Sequence, residues 1–372
     1  MRKIILLSFI SLFTCIPSFG AEIIADKTDT FKARVLEVLL SETELIEGTN
    51  TEVTHQLLSV EPIEGELRGE TIEVRNDYLP LEEGDTFYLS RTVNAETGQT
   101  FFSVGDVYRL PAMLIFVALF IIVVIVFGGM QGMRGLFSLL GSLLVIAYIL
   151  FPGVLNGLSP VWLSIAASSL IIVLGSYITH GFNKTTSSAV IGMIITVLFT
   201  GFLAYAAVHF TSLTGFESEE AVYLNFNTEG KIDFAGLLLG GMIIGLLGVL
   251  YDAAIGQSVA VEELYRAGGH MSPGRVFKRA IRIGREHIGA LVNTLAIAYV
   301  GASLPLLLLF YGSELPLTVI ANKEHFAAEV VRTMVGSIGL VLAVPITTFI
   351  AVLMLQSFRG KEGDSKADLH TP

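Results

Sequence analysis

Three polar residues belong to two apolar stretches of the chain that are long enough to enter a membrane. Asp252 ends the apolar stretch that includes Gly248, and Asn293 and Thr294 lie within the next one. Polar groups are costly in hydrocarbon, so those that enter it serve function more often than most residues do. This pattern predicts that the three residues contribute to a path for an ion or a proton.

Three more polar residues follow Asp252 along the chain, namely Gln257, Ser258 and Glu263. If the helix continues, Asp252 and Glu263 share one face about three turns apart. The set predicts a protonatable or cation-binding relay at the cytoplasmic end of the helix. The alternative is an interfacial aspartate at a helix end, followed by an amphipathic connecting helix. The sequence leaves both interpretations open.

The sequence contains little that an enzyme would use. It has no HExxH or GxSxG motif, and its single cysteine, Cys15, excludes a disulfide framework and a cysteine metal cluster. Isolated histidines such as His180 and His209 do not indicate a metal site. We therefore predict no catalytic residue, no cofactor and no metal. The net charge of −11 argues against nucleic acid as a partner, because phosphate would be repelled.

The composition predicts a multi-spanning membrane protein. Of the 372 residues only 15% are charged, whereas soluble domains carry about 25%. A helix needs roughly 20 apolar residues to cross a hydrocarbon layer of about 30 Å. Seven segments approach that length, and the lipid bilayer is their expected surrounding. The seven predicted spans are 111–129, 135–152, 161–179, 187–210, 234–252, 288–311 and 333–356.

The charges of the connections predict an orientation. Arg134, Lys184 and the basic residues of 253–287 fall in alternate connections, while 211–233 is acidic. Positive charge stays on the cytoplasmic side of a membrane. We therefore expect residues 22–108 to lie outside the membrane and the C-terminus to lie in the cytoplasm.

The two ends of the chain are not expected to belong to the folded domains. Residues 1–21 have a basic start, a short apolar core and small residues at the end, which is typical of a signal peptide. An uncleaved first helix is the alternative. Residues 359–372 have no apolar period and are expected to form a disordered cytoplasmic tail. The seven-helix transmembrane domain would then cover 109–358.

Residues 22–108 read as a small β domain. Five short alternating segments are separated by glycine-containing turns, which is typical of a β-barrel of OB-like type. The expected fold is a membrane all-α bundle with a small N-terminal extracytoplasmic β-barrel-like domain. That outer domain could bind a partner protein. The five predicted strands are 31–38, 55–60, 71–75, 86–90 and 100–104.

Small residues recur at a spacing that suits close helix packing. Gly236 and Gly240 form one such pair, and Gly241 and Gly245 form a second. Glycines four residues apart let two helix backbones approach each other. Packing within one chain is the expected meaning, and a seam between copies in a homo-oligomer is the alternative.

Three motifs carry a resemblance to a known family. They are Asp106–Arg109, Gly248–Asp252 and the longer Gly284–Thr294, which reads GREHIGALVNT. Together they resemble the YibE/F family of bacterial multi-pass membrane proteins. The resemblance implies location and architecture more than activity.

Two hypotheses of function follow. The first is a permease or transport-associated protein, ion- or proton-coupled through Asp252, Asn293 and Thr294. The second is a non-transporting membrane scaffold or assembly factor whose outer β domain binds a partner protein. We expect no enzyme.

Overall fold

The computed structural model describes residues 27–95, 97–267 and 271–358. The predicted signal peptide over 1–21 and the predicted tail over 359–372 lie outside these residues. The chain divides into two compact units, Met1–Phe120 and Ile121–Pro372.

The described part of the first unit contains five strands where five were predicted. Alternation of apolar and polar residues forms them, because one face of each strand is buried and the other is exposed. Turns at Gly65, Gly84 and Gly98 separate the strands, and each of these glycines has a positive φ that other residues rarely adopt. The strands are β1 (Lys27–Leu45), β2 (Glu52–Pro62), β3 (Ile72–Asn76), β4 (Thr86–Val93) and β5 (Thr100–Val107).

The strands form one antiparallel sheet in the order β3-β2-β1-β4-β5. The edge strands β3 and β5 contact each other, so the sheet curves into a half-barrel. Its core is apolar and includes Val35, Leu58, Val60, Phe87 and Leu89. The sheet confirms an N-terminal antiparallel β domain.

The hairpin of β1 and β2 extends beyond the rest of the sheet. β4 pairs with β1 only from Lys27 to Arg34, and β3 pairs with β2 only from Gln56 to Val60. The remaining parts of β1 and β2 therefore pair with each other alone. Leu40 and Leu45 near the end of this hairpin are 51% and 63% exposed.

Helices make up the rest of the described chain. Long runs without Asp, Glu, Lys or Arg favour them in an apolar medium, because a helix satisfies its own backbone hydrogen bonds. The helices are α1 (Leu110–Val145), α2 (Phe151–Leu155), α3 (Pro160–His180), α4 (Lys184–Thr211), α5 (Glu219–Asn227), α6 (Phe234–Ala267), α7 (Pro273–Ala302), α8 (Leu304–Tyr311), α9 (Leu317–Ala321) and α10 (Glu324–Met354).

Five of the described helical stretches are long and apolar enough to cross a membrane, or six if one bent pair counts as a single span. The bent pair is α7 with α8, which meet at 70° next to Pro305. These helices suggest a membrane protein. The prediction of seven spans differs because it divides Leu110–Leu155, which forms one helical stretch of 46 residues. That stretch is interrupted at Gly129, whose φ of 54° is not helical.

Helix α6 is the centre of the helical unit. It contacts α3, α4, α7 and α10, while α3 also contacts α4 and α7 also contacts α10. The shared core includes Ile172, Met193, Leu246, Leu250 and Leu340. The helix that carries Asp252 is therefore packed on several sides by other helices.

Candidate functional site

Asp252 lines a hollow of about 130 Å³ between α6, α7 and α10. Gln257 of α6 and His287 of α7 line it as well, together with Val344 of α10. We call this space the Asp252 hollow. It brings a carboxylate, an amide and an imidazole to the edge of one small volume, where each can donate or accept a hydrogen bond.

Gln257 is held in place by the neighbouring helix. Its side chain is 3% exposed, and its Nε2 donates a hydrogen bond of 2.7 Å to the carbonyl oxygen of Ala280. Gly284, one turn along α7, leaves the room that the amide occupies, since a Cβ there would lie 3.0 Å from Nε2 of Gln257. The close contact of α6 with α7 at this level therefore depends on a glycine.

Ser258 and Glu263 lie away from the Asp252 hollow. Ser258 is fully buried, and its hydroxyl is 3.1 Å from the hydroxyl of Ser188 on α4. Glu263 is exposed, and it does not line the hollow in the described part of the chain. Its neighbour Glu262 is the acid with partners, because it accepts hydrogen bonds from Thr185 and Arg266.

Asn293 and Thr294 are both exposed on α7. Neither is among the described residues that line the Asp252 hollow. The hydroxyl of Thr294 donates instead to the carbonyl oxygen of Ala290 on its own helix, at 2.9 Å. The structure thus brings Asp252 together with Gln257 and His287, and it places Asn293 and Thr294 elsewhere on the helix.

The four predicted packing glycines have different surroundings. Gly236 lies near Pro160, and a Cβ on Gly240 would lie 3.3 Å from Cβ of Ser164, so both face the start of α3. A Cβ on Gly245 would lie 2.8 Å from Oη of Tyr299 on α7. Gly241 differs, because among the described residues nothing lies within 4 Å of a Cβ built there.

A charged cluster was missed in the sequence. Arg332 of α10 forms ion pairs with Glu217, in the connection after α4, and with Glu329 on its own helix. The three side chains are 19%, 22% and 22% exposed. We call them the Arg332 cluster. The spacing of Glu329 and Arg332, three residues apart on a helix, was the available signal.

Burial has the largest influence on the pKa of Glu217 in the Arg332 cluster. It raises the pKa of Glu217 above its ordinary value, although the attraction of Arg332 opposes the change. The same connection is fixed by Glu324, whose Oε1 accepts hydrogen bonds of 2.7 Å from the backbone of Thr214 and 2.8 Å from that of Gly215. The connection is therefore attached to the start of α10 at two places.

Helices α4 and α10 meet through two reciprocal contacts. A Cβ at Gly192 would lie 2.9 Å from Cα of Thr347, and a Cβ at Gly339 would lie 3.1 Å from Cγ2 of Thr200. In each helix the glycine precedes the threonine by eight residues, and the contacts run in reverse order. The two helices are therefore antiparallel and present the same short pattern to each other.

The comparisons with known proteins decide the family. The family model described as YibE/F-like protein matches residues 116–357, which is more than half of the chain. The chain belongs to the YibE/F-like family. The match covers the Asp252 hollow and the Arg332 cluster, whereas strands β1 to β5 precede it. No curated protein and no solved structure matches the chain.

Within the ranges that the structure describes, no group of three or more His, Cys, Asp and Glu side chains could hold a metal ion. The chemistry that the Asp252 hollow can support is the exchange of a proton or the transient binding of a cation.

The Arg332 cluster yields a stability prediction for this YibE/F-like protein. In Arg332→Met, Glu217 and Glu329, each 22% exposed, lose their cation, which should reduce the stability by about 1–3 kcal/mol near pH 8. In this variant Glu217 would bind a proton more tightly in the folded state than in the unfolded state. The loss of stability should therefore shrink as the pH falls towards 5. Thermal unfolding of the full chain in detergent at both pH values measures this.

The control for this prediction is the triple variant Glu217→Gln, Arg332→Met and Glu329→Gln. It removes all three charges at nearly the same side-chain volume, so it should recover most of the lost stability. An Arg332→Met protein that unfolds at the wild-type temperature at pH 8 would contradict the prediction.

Proposed function

We propose that this YibE/F-like chain is a permease or a transport-associated subunit of the bacterial cytoplasmic membrane, and that it is not an enzyme. The proposed ion or proton path includes the Asp252 hollow. The observation that carries the proposal is the position of the Asp252 side chain at the edge of an open volume between three helices. Asp252 is exposed at this edge, and an ionisable residue within a membrane span serves function more often than most residues do.

The surroundings of Asp252 support proton exchange. A hollow of about 130 Å³ has room for several water molecules, since each takes about 30 Å³ in the liquid. His287, at the same hollow, can donate or accept a hydrogen bond through its imidazole. Gln257 can orient water through the amide oxygen that its bond to Ala280 leaves available. The proposed path therefore uses Asp252, Gln257 and His287.

The arrangement of the helices also supports transport. Helix α6 contacts α3, α4, α7 and α10, and α4 meets α10 through the reciprocal contacts of Gly192 and Gly339. An antiparallel pair of matching helices has a two-fold axis in the membrane plane. Many transporters use such inverted repeats and bind their cargo near that axis.

The test of the transport proposal is Asp252→Asn. The full chain would be reconstituted in liposomes, and proton entry driven by an imposed pH gradient would be followed with a pH-sensitive dye. Asp252→Asn cannot release a proton, so we expect the flux to fall to the level of empty liposomes. The matched control, Glu263→Gln, changes an exposed acid on the same helix and should keep the flux. Equal flux in both variants would remove Asp252 from the path.

We further propose that the chain crosses the membrane seven times. The stretch Leu110–Leu155 would be roughly 70 Å long as one helix, more than twice the hydrocarbon thickness. Gly129 is the point at which it can divide into two crossings. The orientation would place residues 27–107 outside and Arg134 inside.

Cysteine labelling tests the seven crossings. In a Cys15→Ser background, a membrane-impermeant maleimide on intact cells should label Asn156→Cys but not Arg134→Cys. Arg134→Cys should react only after the membrane is permeabilised. If Leu110–Leu155 crossed once, Asn156→Cys would also be protected in intact cells, and the proposal would fail.

One observation favours the second function, a membrane scaffold whose outer domain binds a partner protein. The β1–β2 hairpin exposes Leu40, Leu45 and Ile46 beyond the sheet, and exposed apolar side chains in a group are typical of protein interfaces. A photo-reactive residue at Leu45 should then crosslink to another protein in cells, while one at Glu73 on β3 should not. Crosslinks from neither position, or from both equally, would count against this function.

A further inference from the structure

Two adjoining hollows in the helical unit, one apolar and one charged, could together hold an amphiphilic molecule. The first, the apolar hollow, has a volume of about 670 Å³ and lies between α2, α3 and α6. Among the described residues that line it, Ser164 has the only polar side chain. Its size is within the range of roughly 300–1,000 Å³ that is usual for ligand pockets.

The second, the charged hollow, has a volume of about 240 Å³ and is lined by Glu217, Glu220 and Arg332. The two hollows share Leu224 of α5 and Leu237 and Gly241 of α6. They are therefore neighbours on the same side of α6. A molecule with an apolar chain and a polar head could occupy both at once.

The apolar hollow is unsuited to water. A buried water needs two to four polar partners, and a hydroxyl at Ser164 supplies too few. An empty apolar space is also unfavourable, because the atoms around it lose their dispersion contacts. Among apolar helices in a bilayer, an acyl chain is the molecule that fills such a space.

The charged hollow favours a cationic group. Its lining has two carboxylates and one guanidinium, and Arg332 is already paired with Glu217 and Glu329. Hydrogen bonds from its own backbone and from Ser218 hold the pKa of the exposed Glu220 carboxyl below its ordinary value. The connection 211–233 adds Glu219, Glu229 and Asp233 against Lys231.

We propose that the two hollows form one binding site for a membrane phospholipid with a primary amine in its head group. One acyl chain fills the apolar hollow, and the amine lies between Glu217 and Glu220. The proposal does not involve Asp252 and holds whether or not the chain transports anything.

Gly241 gives a direct way to block the site. It faces open space, since no described residue lies within 4 Å of a Cβ built there, and it lines both hollows. A larger side chain at this position would enter the lipid site, and its Cβ would meet no described residue. Gly248, two turns further along α6, also has open space around it but lines neither hollow.

The experiment measures lipid retained by the full chain after exchange into a delipidating detergent. Phosphatidylethanolamine or phosphatidylglycerol is added, and bound lipid is counted by native mass spectrometry. We expect the wild type and Gly248→Leu to keep one phosphatidylethanolamine, and Gly241→Leu to lose it. The wild type should prefer phosphatidylethanolamine by about fivefold, the size of one exposed ion pair.

A charge variant separates the head group from the chain. Glu220→Gln should remove most of the preference for the amine lipid while keeping the bound chain, and Glu219→Gln, a neighbour that does not line the charged hollow, should change neither. Equal retention in Gly241→Leu and Gly248→Leu would overturn the site. Equal binding of the two lipids by the wild type would overturn the proposed preference for an amine head group, and this result does not depend on whether a variant folds.

Discussion

Close contact between α4 and α10 is the constraint on which the helical unit depends. Lipid tails are as apolar as leucine, so helices in a bilayer associate through tight packing more than through burial of apolar surface. Gly192 and Gly339 each leave room for a threonine of the other helix. The side chain of Leu246 also reaches this contact, since a Cβ on Gly339 would lie 3.0 Å from its Cδ2. The position of α6, and with it that of Asp252, follows from this packing.

The sequence predicts local elements better than it predicts their contacts. The five strands follow from alternation and from glycine turns, which depend only on near neighbours. The place of Asn293 and Thr294 depends instead on how α7 is rotated about its axis. Val276, Ala280, Gly284 and Leu295 are buried and set that rotation. Their positions on consecutive predicted spans suggested that Asn293 and Thr294 would lie near Asp252. The packing of α7 instead places His287 at the Asp252 hollow.

The Arg332 cluster shows a second limit of sequence reasoning. Hydropathy placed the start of the last span at residue 333 and left Arg332 in a connection. The helix begins earlier, at Glu324, because its first turns are held by ion pairs and by the connection that Glu324 attaches. A prediction from hydropathy ends a span at a charged residue, but a charged residue with partners can lie inside a helix. The partner Glu217 is more than a hundred residues away, so no local pattern points to it.

The two polar regions lie at different depths of the same helix. Gly241 lines the charged hollow and Asp252 its own hollow, and the two residues are about 16 Å apart along α6. Between them Ile243, Leu246 and Leu250 are buried and apolar, so α6 itself offers an ion no path.

The contact of α4 with α10 lies next to Leu246 of this apolar stretch. At that contact the buried hydroxyls of Thr200 and Thr347 have no hydrogen-bond partner among the described residues. An unpaired buried hydroxyl costs about 1–3 kcal/mol, and water reaching it would relieve that cost.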